Sequence, residues 1–164
     1  RPTFENSSIE NPDLKDESTE MAPMDTPITI RLMEPEDSVG LIKCMYNVYG
    51  YTYFEFLYFP EKIAEMLKEG TLISMVAVAP DGKIIGHQGL KREHKDSLIA
   101  EIAMGAVDPV YRGRQLFKKL KDKAFSYVRE KGLYGLYGEA VANHAYSQKA
   151  NNALGGRETG ILLG

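Results

Sequence analysis

Two apolar runs, residues 71–78 and 83–90, are separated only by Ala79-Pro80-Asp81-Gly82. Proline and Asp-Gly both favour tight turns, so the pair reads as a β-hairpin. Residues 28–32 alternate apolar and polar groups as a half-buried strand does. Glu34-Pro35-Glu36-Asp37 then supplies a turn and the acidic groups suited to a helix N-terminus, and a helix follows through about Val48. A second, short helix runs from Pro60 to a stop at Gly70. After the hairpin comes a third apolar run, residues 97–107. From Leu116 to Gly132, the residues Leu116, Phe117, Leu120, Ala124, Tyr127 and Val128 form one helical stripe with lysines opposite. A strand over 134–141, a helix over about 144–154 and a strand over 157–163 complete the order βααβββαβαβ. Hairpins early and a β-α-β crossover late predict an α/β (α+β) domain, with a mixed, largely antiparallel sheet flanked by helices.

The 164 residues suffice for one packed core and are short for two. Residues 1–26 hold seven acidic side chains against Arg1 and Lys15, a charge of -5 within a total of -3, so residues 27–164 carry +2. With few large apolar groups, residues 1–26 read as a disordered acidic tail or linker, and 27–164 as the folded domain. The chain starts at Arg1 and ends on Ile161-Leu162-Leu163-Gly164, which reads as a strand leading further, so a piece of a longer polypeptide with neighbouring domains is expected. Cys44 is the only cysteine, which rules out an intrachain disulfide and makes the cytoplasm the default. The weak net charge argues against nucleic acid as a partner, and no apolar run approaches the ~20 residues that span a bilayer.

The stretch from Ala100 to Val107 is rich in small residues and poor in β-branched ones, which is unusual for a central strand. A glycine inside it, Gly105, marks either a bulge where an amide-bearing ligand approaches the backbone or a crowded packing contact. Val107-Asp108-Pro109-Val110-Tyr111-Arg112-Gly113-Arg114-Gln115-Leu116-Phe117 then leads into the amphipathic helix. Unpaired N–H groups at a helix start, with Arg112 and Arg114 beside them, make a site for a pyrophosphate. P-loop and dinucleotide fingerprints are both missing.

Strand, Val-x-Pro-x-Tyr-Arg-Gly-Arg, then helix resembles the acetyl-CoA motif of the GNAT superfamily, Gln/Arg-x-x-Gly-x-Gly/Ala, with the likeness extending over residues 28–164. Arg112 takes the first motif position, Gln115 stands where Gly is usual, and Phe117 where Gly or Ala is usual. The resemblance implies acetyl-CoA as cosubstrate and no metal. Gly105, Ala106, Val107, Arg112, Gly113, Arg114, Gln115, Leu116 and Phe117 would contact it, together with His144, Ser147 and Asn151 of the last helix. Backbone N–H groups near Gly105 to Val107 would hold the oxyanion.

The resemblance also implies a base at Glu101, six residues before Val107, where the family presents a carboxylate to the amine. Burial beside Ala100 and Ile102 would raise its pKa and improve it as a base, and a rim carboxylate paired with a lysine is the alternative. His87 is the second candidate. In the last helix, which resembles the family segment ending in Leu-Gly-Phe, Asn151 stands where a tyrosine commonly protonates the thiolate, and Gly156 replaces the Phe. Three alternatives follow: Tyr146 reaches in, solvent supplies the proton, or acyl-CoA binds without fast turnover.

Half of the sixteen aromatic residues fall between Tyr46 and Phe59. In the family's layout this region borders the acceptor cleft, so it is either an aromatic wall for an amine or simply core and loop packing. The expected activity is that of an acyl-CoA-dependent N-acyltransferase (EC 2.3.1 type), which moves an acetyl group to a small-molecule or peptide amine in a ternary complex. A regulatory acyl-CoA-binding module of a larger protein is the alternative, and a homodimer is compatible with either.

Overall fold

The computed structural model describes residues 20–140 and 146–160. Strand β1 (Thr29–Leu32) ends in a turn over Pro35–Asp37 that feeds helix α1 (Ser38–Tyr49). Arg31 fixes this turn by donating to both Asp37 carboxylate oxygens at 2.6 and 2.9 Å, and Asp37 also accepts the Glu34 amide at 2.9 Å. Pro60 opens α2 (Pro60–Glu69), where its missing N–H costs nothing, and Gly70 closes it in the left-handed conformation with φ +74°.

The predicted hairpin is present as β2 (Leu72–Val78) and β3 (Ile84–Lys91), followed by β4 (Ile99–Val107), helix α3 (Leu116–Glu130), β5 (Gly135–Tyr137) and α4 (Tyr146–Ala153). The sheet runs in the order β1-β2-β3-β4-β5. Its first three pairings are antiparallel, whereas β4 and β5 are parallel, because α3 carries the chain back across the sheet between them.

Both faces are covered, which explains why β2 is apolar without alternation. Leu72 and Val76 join Leu41, Ile42, Met45 and Ile63 under α1 and α2. Ile73, Met75 and Ala77 join Leu116, Leu120, Ala124 and Val128 under α3. Among the described residues no helix is long and apolar enough to cross a membrane.

Three expectations need correction or qualification. The strand predicted over 134–141 is only Gly135–Tyr137 among the described residues, since its ladder with β4 ends at Glu101–Tyr137. There the chains part at close quarters: a Cβ on Gly138 would lie 3.0 Å from the Ile102 carbonyl oxygen. Lys121, expected among the outward lysines of α3, is instead 5% exposed, because it stands four residues after Phe117 and three before Ala124, on the buried stripe. Residues 157–160 form no strand, and the rest of the last predicted strand lies outside the described residues. Most of the acidic tail, residues 1–19, also lies outside them. Its end is joined to the domain, with the Ala22 amide donating to the Val110 carbonyl at 3.0 Å.

Candidate active site

The small-residue strand β4 carries a bulge. Between the pairs His87–Ala106 and Gly89–Ala103 there is one residue on β3, Gln88, and two on β4, Met104 and Gly105. Met104 takes a left-handed φ of +57°, a conformation that costs a β-strand residue free energy and needs surrounding support. That support is visible. The Met104 amide donates to Tyr53 Oη at 3.0 Å, His87 Nδ1 donates to the Met104 carbonyl at 2.7 Å, and the Tyr49 hydroxyl donates to the Gly105 carbonyl at 2.7 Å.

His87 is therefore a structural prop. Its Nδ1 proton is committed to Met104, Nε2 has no partner, and burial holds its pKa down at about 4, so the ring is neutral.

On the α3 side the bulge presents a contact surface with no side chain of its own. A Cβ on Gly105 would lie 2.7 Å from Phe117 Cε2 and 3.0 Å from Gln88 Oε1. Gln88 donates through Nε2 to the Ala103 carbonyl at 2.7 Å, leaving Oε1 buried without a donor. An amide N–H brought along Gly105 would satisfy that oxygen. Beyond Glu101, β4 runs on to Val107 with no ladder to β5 among the described residues, which leaves that edge of β4 without a strand partner there.

The loop after β4 is fixed by Asp108, whose side chain accepts the Val110 amide at 3.1 Å and pairs with Lys83 at 3.0 Å. Gln115 is the N-cap of α3 with φ +58° and makes no side-chain cap, so the first-turn N–H groups keep their capacity for an anion. Its left-handed backbone accounts for the glycine usual at this motif position. Arg112 is exposed beside them, and its charge partly offsets the rise that burial imposes on the Tyr49 hydroxyl pKa. Arg114 behaves differently from expectation. It is buried over the Tyr111 ring, 5.3 Å from its centroid, and donates to the Ala22 carbonyl.

Asn151 stands on α4 at the side of α3, where its Oδ1 accepts from Lys121 Nζ at 2.6 Å. Lys121 also lies 4.9 Å over the Phe117 ring, and burial lowers its pKa below the usual lysine range. Gly105, Phe117, Lys121 and Asn151 thus form one continuous wall from the bulge to α4. His144 lies outside the described residues. Tyr146 and Ser147 open α4, with their side chains outside the description.

At the other end of β4, Glu101 sits in a cross-strand row with Lys91 and Tyr137, and Lys91 Nζ is 4.0 Å from its carboxylate. This is the lysine-paired carboxylate of the alternative reading, yet it also adjoins the aromatic segment. Burial raises the Tyr53 hydroxyl pKa, the Met104 amide offsets part of the rise, and the charge of Glu101 adds to it. Lys91 Nζ lies 5.6 Å over Phe54, which stacks on Phe56 with centroids 6.0 Å apart. Tyr49 and Tyr53 form a tilted pair at 4.7 Å. The segment is thus both packing and wall: Tyr58 belongs to the core, while Phe54 is exposed.

Sequence reasoning missed Gln88 and Lys121. For Lys121 the signal was its spacing from Phe117 and Ala124. For Gln88 there was none, because only the bulge turns its amide oxygen toward Gly105.

No curated protein matches the chain significantly. Among solved structures it is similar to a Trypanosoma brucei acetyltransferase at 22% identity, with 84% of this chain and 97% of that one covered and a TM-score of 0.66. It is also similar to the aminoglycoside N-acetyltransferase AAC(6')-Iy in complex with CoA, at 21% identity, 87% and 96% coverage and a TM-score of 0.68. A third likeness is to an aminoglycoside acetyltransferase from an uncultured soil metagenomic sample, at 19% identity, 86% and 97% coverage and a TM-score of 0.70. These likenesses establish the fold, and the sequence model of the acetyltransferase (GNAT) family matches residues 41–153, so the chain belongs to the GNAT acetyltransferase family.

Proposed function

We propose that this protein transfers an acetyl group from acetyl-CoA to a small amine by direct attack in a ternary complex. The observation that carries the reading is the bulge at Met104–Gly105 beside the unpaired edge of β4, with a helix N-terminus on one side and Glu101 on the other. In this reading the pyrophosphate rests on the first turn of α3 with Arg112. The pantetheine arm runs along Phe117, with an amide N–H given to Gln88 Oε1, and the thioester enters along that edge of β4. Ala106, Val107, Gly113 and Leu116 supply backbone along this path. Arg114 holds the loop instead of the phosphate, through Tyr111 and Ala22.

On the α1–α2 face, Glu101 takes a proton from the incoming amine, directly or through water. Lys91 orients the carboxylate, and the exposed face of Phe54 attracts an ammonium-bearing acceptor. The aminoglycoside acetyltransferases among the similar structures support a small polyamine-like acceptor. A covalent route through the only cysteine is unfavourable, since Cys44 is buried and its thiol is pushed up to about 12 by burial.

A second reading, an acyl-CoA-binding module with slow turnover, draws on Asn151 in place of a phenol. Calorimetry with acetyl-CoA, followed by an amine-dependent thiol-release assay, tests both. Binding with release supports the enzyme, binding without release the module, and absence of binding contradicts each.

A further inference from the structure

Lys121 is a buried ammonium without a counter-ion. Asp108, comparably buried, is paired with Lys83, whereas Arg114, away from the wall, likewise has a neutral acceptor, the Ala22 carbonyl, and a ring face, Tyr111, with Nε and Nη1 unpartnered. Lys121 has the neutral Asn151 Oδ1 at 2.6 Å and the Phe117 face, and among the described residues no carboxylate comes within 4.0 Å. The next residue, Asp122, is paired with Lys118 at the surface, and Lys149 of α4 is exposed. An ammonium has three N–H donors, and burying it with one neutral acceptor is unfavourable unless an anion arrives during function.

Its place in the wall says which anion. Lys121 is six residues beyond the Gln115 cap, about 9 Å along the helix axis, so it is well past the first-turn amides that suit phosphates. It lies instead across Phe117 from the bulge, where Phe117 meets Gly105 at the edge of β4 that has no ladder to β5.

We propose that the Lys121 ammonium receives the negative charge of the departing sulfur of acetyl-CoA as an ion pair, with Asn151 holding the ammonium in place. The inference rests on the acetyl-transfer reading above. In the step, the amine nitrogen bonds to the acetyl carbon and the carbon–sulfur bond breaks with its electron pair passing to sulfur. The thiolate is held by the Lys121 ammonium, which keeps its protons, and the proton lost by the amine passes to Glu101. The products are the N-acetylated amine and CoA thiolate, and the thiolate takes up, through water, the proton collected at Glu101 as CoA leaves.

The test is an ultraviolet titration of the thiolate band of CoA bound to the whole chain, after calorimetry has shown that CoA binds. The parent should ionise the bound thiol at least one pH unit below the ~8.5 of an ordinary thiol. Lys121→Met should still bind CoA and return the thiol to that value or above it. It should also melt higher than the parent without ligand, since an unpaired buried charge is gone. Asn151→Asp keeps the lysine and gives it the missing anion, so it too should raise the thiol titration while preserving the fold. Turnover with acetyl-CoA should fall at least tenfold in both variants. If parent and variants bind CoA and titrate the thiol alike, Lys121 has no such role, though the cofactor site stands. If CoA does not bind the parent, the acetyl-transfer reading and this one fall together.

Discussion

The Tyr49 hydroxyl donates to the Gly105 carbonyl at 2.7 Å and ties the last turn of α1 to the bulge in β4. Tyr49→Phe removes that bond and leaves a half-buried carbonyl unpaired, so stability should fall by about 0.5–1.5 kcal/mol. Acetyl-CoA affinity should fall with it, because the bulge loses one of its supports. Denaturant unfolding and calorimetry check the pair of effects. Unchanged affinity alongside a stability loss would mean that the bulge keeps its geometry without Tyr49.

Gln115 takes φ +58° with no side-chain cap. Gln115→Gly relieves a strain of about 1–2 kcal/mol while adding about 0.5–1 kcal/mol of unfolded-state entropy, so stability should hold or rise slightly. CoA should bind at least as tightly, since bare backbone then faces the phosphates. Clearly weaker binding would show that the Gln115 side chain is itself a ligand donor. Arg112→Ala, by contrast, should cost about 1.5–3 kcal/mol of CoA affinity, the usual worth of a charged hydrogen bond.

His87 sets an acid limit on the fold. Its pKa is about 4 in the folded protein against the ordinary 6.5, so below pH 6.5 the unfolded chain takes a proton that the folded chain refuses. Its contribution is intact above pH 6.5 and is lost as pH falls toward 4, amounting to about 3 kcal/mol over the window. Urea unfolding at pH 7 and pH 4.5 should show this loss in the parent. In His87→Gln, which keeps a donor for the Met104 carbonyl, the difference should be smaller, and an equal loss in both would assign the acid sensitivity elsewhere.

Elements were legible in the sequence where local chemistry decides them. Asp81-Gly82 between apolar runs made the hairpin plain, and Pro60 and Gly70 bracketed α2, because turns and caps depend on a few adjacent residues. The early end of β5 was not legible, since it depends on where β4 and β5 part and not on either strand's own pattern. Arg114 illustrates the same limit in the site. A guanidinium near a helix start has the chemistry for a phosphate, but its partner, the Ala22 carbonyl, is 92 residues away in sequence. That Glu101 lies on a strand could be read from the sequence, whereas its pairing with Lys91 emerges only from the β3–β4 register.

The central claim, acetyl transfer with Glu101 as base, is tested most directly by amine-dependent thiol release from acetyl-CoA across pH, comparing the parent with Glu101→Gln. The substitution keeps size and hydrogen bonding and removes the base. Binding of acetyl-CoA should survive, and turnover at neutral pH should drop by the ~100- to 10,000-fold typical of general-base loss, with partial recovery at high pH where the amine is already neutral. A Glu101→Gln protein as active as the parent across the pH range would contradict the account.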